Sequence, residues 1–431
     1  MIFKEDFLQL VWKYQYFEKA KLRTTAGDEL KIIQVGFHNQ SEGPDFRDSV
    51  VVIDNVILHG HVEVHRLASE WKQHAHGGNP AYNSVVLHVV WEDDLEVLRN
   101  DGTSMPTLEL KGLIFLDIWR NYERMLDYKS DLPCAHGLKD APEIVRFSAL
   151  EKALVERLQE KSSLILDILK NTTDDWEETA YRWLFTCFGF KTNSQAMGEL
   201  AALVPYKILQ KHRDQLPVLE AILLGQAGLL PIESEEPYVQ HLIREYGFYR
   251  KKYTWDRTMK RQHWTFMAVR PSNFPTVRIA QLAAILSNAP NLLQSVMQDS
   301  HDFASFKKLL KVKPNDYWQY HYSFGKPSER QSNSGISSTA LDLLVINYVI
   351  PLWFAYGRYF EEPDWQERCF DLLQEISAEN NHIIRRFQSH GWPAVNGFDT
   401  QGMIGLFKNY CQHKKCLQCK IAQVLIKSES K

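Results

Sequence analysis

The hydrophobic period of this chain changes once along its length, and that change limits the folds open to it. After one amphipathic segment, in which Phe7, Leu10, Val11, Tyr14 and Phe17 recur at helical spacing, the next stretches are short and rich in β-branched residues. They lie at 30–35, 49–53, 56–65 and 85–91, and Asp54-Asn55 makes a tight turn between the middle two. Residues 67–76 read as a short helix closed by Gly77-Gly78-Asn79-Pro80, and 107–110 as a further candidate strand. From Leu113 onward the helical period takes over, with helices expected at 144–169, 176–188, 215–223, 277–286, 340–360 and 365–376. A boundary falls within 127–143, which carries Pro133, Gly137 and Pro142. The expectation is an α+β protein: an α/β domain over 1–130, then an all-α domain over 131–431.

Charge does not select a partner for the whole chain. Fifty Lys and Arg face 53 Asp and Glu, a net charge of −3, so any affinity for nucleic acid must come from a local surface. Acids at Glu5 and Asp6 stand where an export signal needs a basic start, and Asp342, Asn347 and Pro351 interrupt the most apolar later stretch. Six cysteines are too few for a disulfide scaffold. These features lead us to expect a cytoplasmic protein without a membrane span. Phosphate-binding glycine loops, a Gly-x-Ser-x-Gly elbow and a His-Glu-x-x-His helix are all missing from the sequence.

The chemistry concentrates in one strand. Seven of the 16 histidines lie between positions 38 and 88. In Val56-Ile57-Leu58-His59-Gly60-His61-Val62-Glu63-Val64-His65, strand alternation puts His59, His61, Glu63 and His65 on one face and mostly valines on the other. The loop Glu42-Gly43-Pro44-Asp45-Phe46 delivers a second carboxylate at the start of the neighbouring strand, so Asp45 and Glu63 are expected to converge. The same face also suits a solvated sheet surface, and His88, inside an apolar strand, suits a hydrogen-bonded core residue.

Pro44-Asp45, then 17 residues, then Glu63-Val64-His65 resembles the signature of the PD-(D/E)XK nuclease superfamily, with His65 in the lysine position. The order helix, three strands, helix, strand over 4–92 is also similar to that superfamily's restriction-endonuclease-like core. The resemblance implies a metal-dependent nuclease acting on DNA or RNA. Asp45 and Glu63 would hold Mg²⁺ or Mn²⁺, and His65 would orient or deprotonate the attacking water. The whole chain also resembles an uncharacterised bacterial family through Gly43 to Phe46, Gly60 to His65, Trp71 to His76 and Leu87 to Trp91. Two other readings stay open. One is a non-catalytic nucleic-acid or protein-binding scaffold derived from a nuclease fold. In the other, His61, His74, His76 and His88 join the carboxylates to hold a transition metal.

Two further segments stand out. Residues 244–270 interleave Arg250, Lys251, Lys252, Arg257, Lys260 and Arg261 with aromatics, a composition that suits single-stranded nucleic acid and equally suits aromatics packed inward under solvated charges. Cys411, Cys416 and Cys419 crowd together among lysines that favour thiolate, a spacing suited to Zn²⁺ or an iron-sulfur cluster. The run is similar to the iron-sulfur segment of DNA glycosylases but lacks its fourth cysteine. His413 and Cys369 are the candidate fourth ligands.

Overall fold

The computed structural model describes residues 4–39, 41–74, 76–289, 291–298, 302–332 and 334–427. Helix α1 (Glu5–Tyr14) carries Glu5 and Asp6 in its first turn and Lys13 in its last, matching the helix dipole. It buries Phe7, Leu8, Leu10, Val11 and Trp12. Strands β1 (Leu30–Gln34), β2 (Phe37–His38), β3 (Phe46–Ile53), β4 (Val56–Leu67), β5 (Val85–Glu92) and β6 (Thr107–Glu109) form one mixed sheet. Its order is β1-β3-β4-β5-β6, with β2 also on β3. Asp54 and Asn55 both have positive φ, 45° and 68°, the geometry of a type I′ turn, and this makes β3–β4 an antiparallel hairpin. β4 and β5 pair in parallel, as do β5 and β6.

The connection from β4 to β5 is shorter in helix than expected. β4 runs on to Leu67, which pairs with Glu92, and only Glu70–Gln73 (α2) is α-helical before the turns His76–Gly78 and Pro80–Tyr82. Glu70 fastens this corner: its carboxylate accepts from the backbone N–H of Arg66 at 2.9 Å and from the Arg66 guanidinium at 2.6 Å. Helix α3 (Leu116–Asp127) follows the sheet. Phe7 stacks on Tyr122 of α3 at 5.2 Å.

By its contacts the chain divides into two units. The first takes the described residues to Ala149, Ser389–Trp392, and Leu406 onward; the second takes Leu150–Gln388 and Pro393–Gly405. The last helix, Lys420–Lys427, belongs to the sheet unit, where Asn121 of α3 donates to Ile426 O at 3.1 Å. The cysteine segment therefore groups with the sheet, whereas sequence order alone places it with the helical part.

The second unit is helical. Helix α4 (Glu143–Asn171) runs into it, followed by α5 (Trp176–Phe188), α6 (Ser194–Leu203), α7 (Tyr206–Gln210), α8 (Leu216–Gln226), α9 (Pro237–Lys252) and α10 (Pro275–Asn288). Asp175 caps α5 by accepting from Glu178 N–H. From Val218 to its end α8 is buried throughout, and α10 is buried from Pro275 to Leu286, so these two helices form the centre of the unit. The apolar helix Ser338–Phe360 is long enough to cross a membrane, and 72% of its most apolar window is buried inside the protein. It contains a π-turn at Val345–Val349, just before Pro351, whose ring is incompatible with a regular bond at that step.

A candidate metal centre of carboxylates and imidazoles

A tied loop delivers Asp45. Gly43 adopts φ +100°, and Asn39 Nδ2 donates to the carbonyls of Glu42 and Pro44, each at 3.1 Å. Phe46, the first residue of β3, pairs with Val62, which brings Asp45 beside Glu63. Asp45 N–H donates to Glu63 Oε2 at 3.0 Å, and Val64 N–H donates to Asp45 Oδ2 at 3.0 Å. Gln9 of α1 donates to Asp45 Oδ1 at 2.9 Å.

Glu63 joins this pair to the imidazoles. Its Oε1 lies 3.2 Å from His76 Nε2 and 3.6 Å from His65 Nε2. His65 Nε2 shares a hydrogen bond with His74 Nδ1 at 3.2 Å, and His65 Nδ1 shares one with His88 Nε2 at 2.8 Å. The donor atoms of His65, His74 and His76 lie within 4.8 Å of one another, the only group of three or more His, Cys, Asp or Glu that close among the described residues. His88 faces Glu63 across the parallel β4–β5 pairing, so it positions His65 from behind.

The close β4–β5 approach needs Gly60. A Cβ there would stand 2.3 Å from Ser84 O and 2.5 Å from Val86 Cγ1. The register slips just after His61, whose Nδ1 instead accepts from Asp48 N–H at 3.3 Å. His61 is thus turned away from the cluster that was expected to include it. His59, at the exposed end of the same strand, is likewise outside it.

The electrostatics are those of a pocket short of positive charge. Burial and the Glu63 charge push Asp45 up to about 7, and burial pushes Glu63 up to about 7. Burial, then the charges of Asp45 and Glu63, bring Glu5 up to about 7 as well. Burial, followed by His76 and His74, depresses His65 to about 3, and burial with His65 holds His88 well below its ordinary value. Neutral imidazoles beside crowded carboxylates are the protonation states that bind a cation. Burial keeps the His65 imidazole neutral, the form in which its geometry also suits a metal ligand.

Glu5 and Gln9 were missed by sequence reasoning. Their only local signal is a polar pair at i, i+4 on a helix whose neighbouring positions are buried. Beyond His76 lies a cavity of about 200 Å³ lined by Trp71, Tyr82, Asn83, Arg99 and Asn100 among others. Among the described residues, Trp71 Nε1 and Arg99 Nε are buried without acceptors.

Residues 5–382 match the family model described as "Protein of unknown function (DUF2851)". The chain belongs to this family. Every element of the centre described above, from Glu5 to His88, lies inside the span that defines the DUF2851 match. No curated protein and no solved structure matches the chain.

The C-terminal part of this DUF2851 chain, beyond the family match, carries the three clustered cysteines. Cys411, Cys416 and Cys419 are buried, and the fourth thiol that acts on them is Cys134, from the loop after α3. Cys369, one expected fourth ligand, instead lies in the second unit and donates to Ile350 O at 3.3 Å. The lysines do not yield thiolates here. Burial and the neighbouring cysteines raise Cys411 well above its ordinary value and Cys416 to about 12, with Lys414 and a backbone hydrogen bond offsetting the latter only in part.

In the 244–270 segment the aromatics turn inward. Tyr249 and Trp264 are buried, and Tyr246, Tyr253, Trp255 and Phe266 pack against the helical core; Phe248 stays exposed. Arg250, Lys251, Lys252, Arg257, Lys260 and Arg261 are exposed. Lys252 lies over the Tyr249 ring at 5.4 Å and Arg261 over Phe266 at 4.2 Å. Phosphate contacts remain open to the cations, whereas most of these rings are unavailable for stacking on bases.

Proposed function

We propose that the protein is a metal-dependent phosphodiesterase acting on DNA or RNA, built on a nuclease-like sheet. The observation that carries this reading is the position of Glu63: one oxygen is tied to the Asp45 backbone and the other faces His65 and His76. A helix, an antiparallel hairpin and a parallel strand after a crossover place Asp45 and Glu63 side by side, in keeping with the motif resemblance.

Asp45, Glu63, His65, His74 and His76 are the residues that would hold the ion. Imidazoles move the preference from Mg²⁺ toward Mn²⁺, Fe²⁺ or Zn²⁺. A divalent ion there would supply Lewis-acid stabilisation of the phosphodiester oxygens. Gln9 fixes the Asp45 carboxylate and His88 fixes the His65 ring. Trp71 and Arg99, with unused N–H groups in the adjoining cavity, would bind non-bridging phosphate oxygens. The exposed cations of 244–270 would contact the nucleic-acid backbone.

The test is cleavage of single-stranded and duplex DNA and RNA with Mg²⁺, Mn²⁺ or Zn²⁺, comparing wild type with Asp45→Ala and Glu63→Ala. Metal-dependent cleavage lost in both variants is expected, with Mn²⁺ outperforming Mg²⁺. Equal activity in the variants would sink the reading. Binding without cleavage would move the protein to the scaffold reading.

A second metal site is proposed at Cys134, Cys411, Cys416 and Cys419, four buried thiols none of which is in a disulfide; no three of their sulfurs lie within 4.8 Å of one another, so a bound ion would draw them together. Zn²⁺ or an iron-sulfur cluster would deprotonate them and remove the penalty that burial places on each thiolate. Metal analysis and visible absorption of the purified chain separate the two.

A further inference from the structure

Among the described residues, Arg278 is a buried cation without a partner anion. It lies in the first turn of α10 and is 5% exposed. Its Nη1 donates to Gln281 Oε1 at 2.8 Å and its Nη2 to Asn273 Oδ1 at 2.7 Å, both neutral acceptors. The guanidinium lies 4.6 Å over the Phe190 ring, and Nε is buried with no acceptor. Burial, with no carboxylate acting against it, lowers its pKa to about 10. A buried charge held only by neutral groups is unfavourable, and a protein that keeps one generally offsets it by pairing.

The guanidinium borders a cavity of about 230 Å³, whose lining also includes Thr192, Asn193 and Arg270 and contains no Asp or Glu. The volume is below the ~300–1,000 Å³ typical of sites for larger organic ligands. Two helices begin at the cavity, α6 after Asn193 and α10 after Phe274, and neither has a side-chain N-cap. The Asn193 side chain is committed to Thr265, donating to its carbonyl at 3.0 Å and accepting from its N–H at 2.8 Å. Both helices therefore begin at the cavity with the positive ends of their dipoles; Pro275, at the start of α10, has no N–H to offer. The C-terminal end of α5 also borders the cavity, and there the carbonyls of Phe185, Cys187 and Gly189 accept from the N–H groups of Gly189, Phe190 and Asn193.

We propose that this cavity binds a phosphoryl group, either as free phosphate or as the terminal phosphate of an oligonucleotide. A guanidinium fork, a second arginine at the rim and two helix N-termini match a multiply charged oxyanion with several acceptor oxygens better than a single carboxylate. The site lies wholly within the helical unit and stands whether or not the metal centre cleaves phosphodiesters.

The experiment is thermal unfolding of the full chain in phosphate-free buffer at constant ionic strength, titrated with inorganic phosphate and, separately, with acetate. Arg278→Gln removes the charge and leaves the metal centre intact. Thr192→Glu, at an exposed position on the rim, supplies a tethered carboxylate and leaves the guanidinium contacts in place. Phosphate is expected to raise the wild-type midpoint by a few degrees, with acetate giving no rise. Both variants are expected to weaken the response at least tenfold in phosphate concentration. Should Arg278→Gln not fold, Thr192→Glu decides alone. An undiminished response in Thr192→Glu, or no response in wild type, overturns the proposal. Oligonucleotides of one sequence with and without a 5′-phosphate identify the source. Tighter binding of the phosphorylated form, lost on Thr192→Glu, assigns the site to nucleic-acid ends; equal binding of the two forms assigns it to free phosphate.

Discussion

Asp45 and Glu63 are cross-tied through the backbone: the Asp45 N–H holds Glu63 Oε2 at 3.0 Å, and the N–H that follows Glu63 holds Asp45 Oδ2 at the same distance. The two carboxylates are fixed close together in a site that water reaches poorly, so the metal-free protein carries a charge penalty there.

That penalty has a definite pH dependence. Both groups have folded-state pKa values raised to about 7, above their unfolded values near 4. The folded protein then binds more protons between pH ~4 and ~7, and stability falls as pH rises through that window. Glu63→Gln should flatten the fall and stabilise the metal-free protein at pH 8 by on the order of 2 kcal/mol. Denaturant unfolding with a chelator present, at pH 5 and pH 8, reads this directly. An unchanged pH dependence in Glu63→Gln would show that the two carboxylates do not repel.

Gly60→Ala tests the packing that positions the centre. A methyl 2.3 Å from Ser84 O cannot be absorbed by a side-chain rotation, so β4 and β5 must separate. A loss of about 2–4 kcal/mol is expected. A change below about 0.5 kcal/mol in urea unfolding would mean that the two strands approach less closely than described.

The thiol site predicts which cysteine matters. Cys134→Ser should lower metal content as much as Cys416→Ser does, while Cys369→Ser should leave it unchanged. Elemental analysis after dialysis is the readout, and equal metal in wild type and Cys134→Ser would remove Cys134 from the site.

Glu220 anchors the helical unit. Its carboxylate accepts from Tyr238 Oη at 2.8 Å and Trp318 Nε1 at 3.2 Å, and burial raises its pKa to about 7. Glu220→Gln keeps an acceptor and is expected to be neutral or stabilising at pH 8. Glu220→Leu strands two buried donors and should cost about 2–3 kcal/mol. Equal stability of the two variants would show that these hydrogen bonds contribute nothing net.

Much of the architecture was legible in short stretches of sequence. The helix at 176–188 has the expected bounds because its cap, Asp175, and its apolar face are local. The hairpin at Asp54-Asn55 follows from a pair of residues that tolerate positive φ. The pairing of Asp45 with Glu63 was also legible, since only a hairpin separates them. The fate of the histidines was not. Alternation put His61 beside Glu63, but the pairing is irregular on both sides of it, at Phe46–Ser49 on β3 and after His61 against β5, and its Nδ1 meets the Asp48 N–H; such irregularities depend on the partner strands.

Period, turn chemistry and caps act within a few residues, and they were enough to determine the mixed sheet, the helical body and the first two carboxylates. Tertiary packing decided the rest: Gln9 reaching Asp45 from α1, His76 closing on Glu63 and His74 on His65, Cys134 grouping with thiols almost three hundred residues away, and the aromatics of 244–270 folding inward. These choices depend on which surfaces exclude water together, and burial then reset the proton affinities that chain-local reasoning had assigned to His65 and the cysteines.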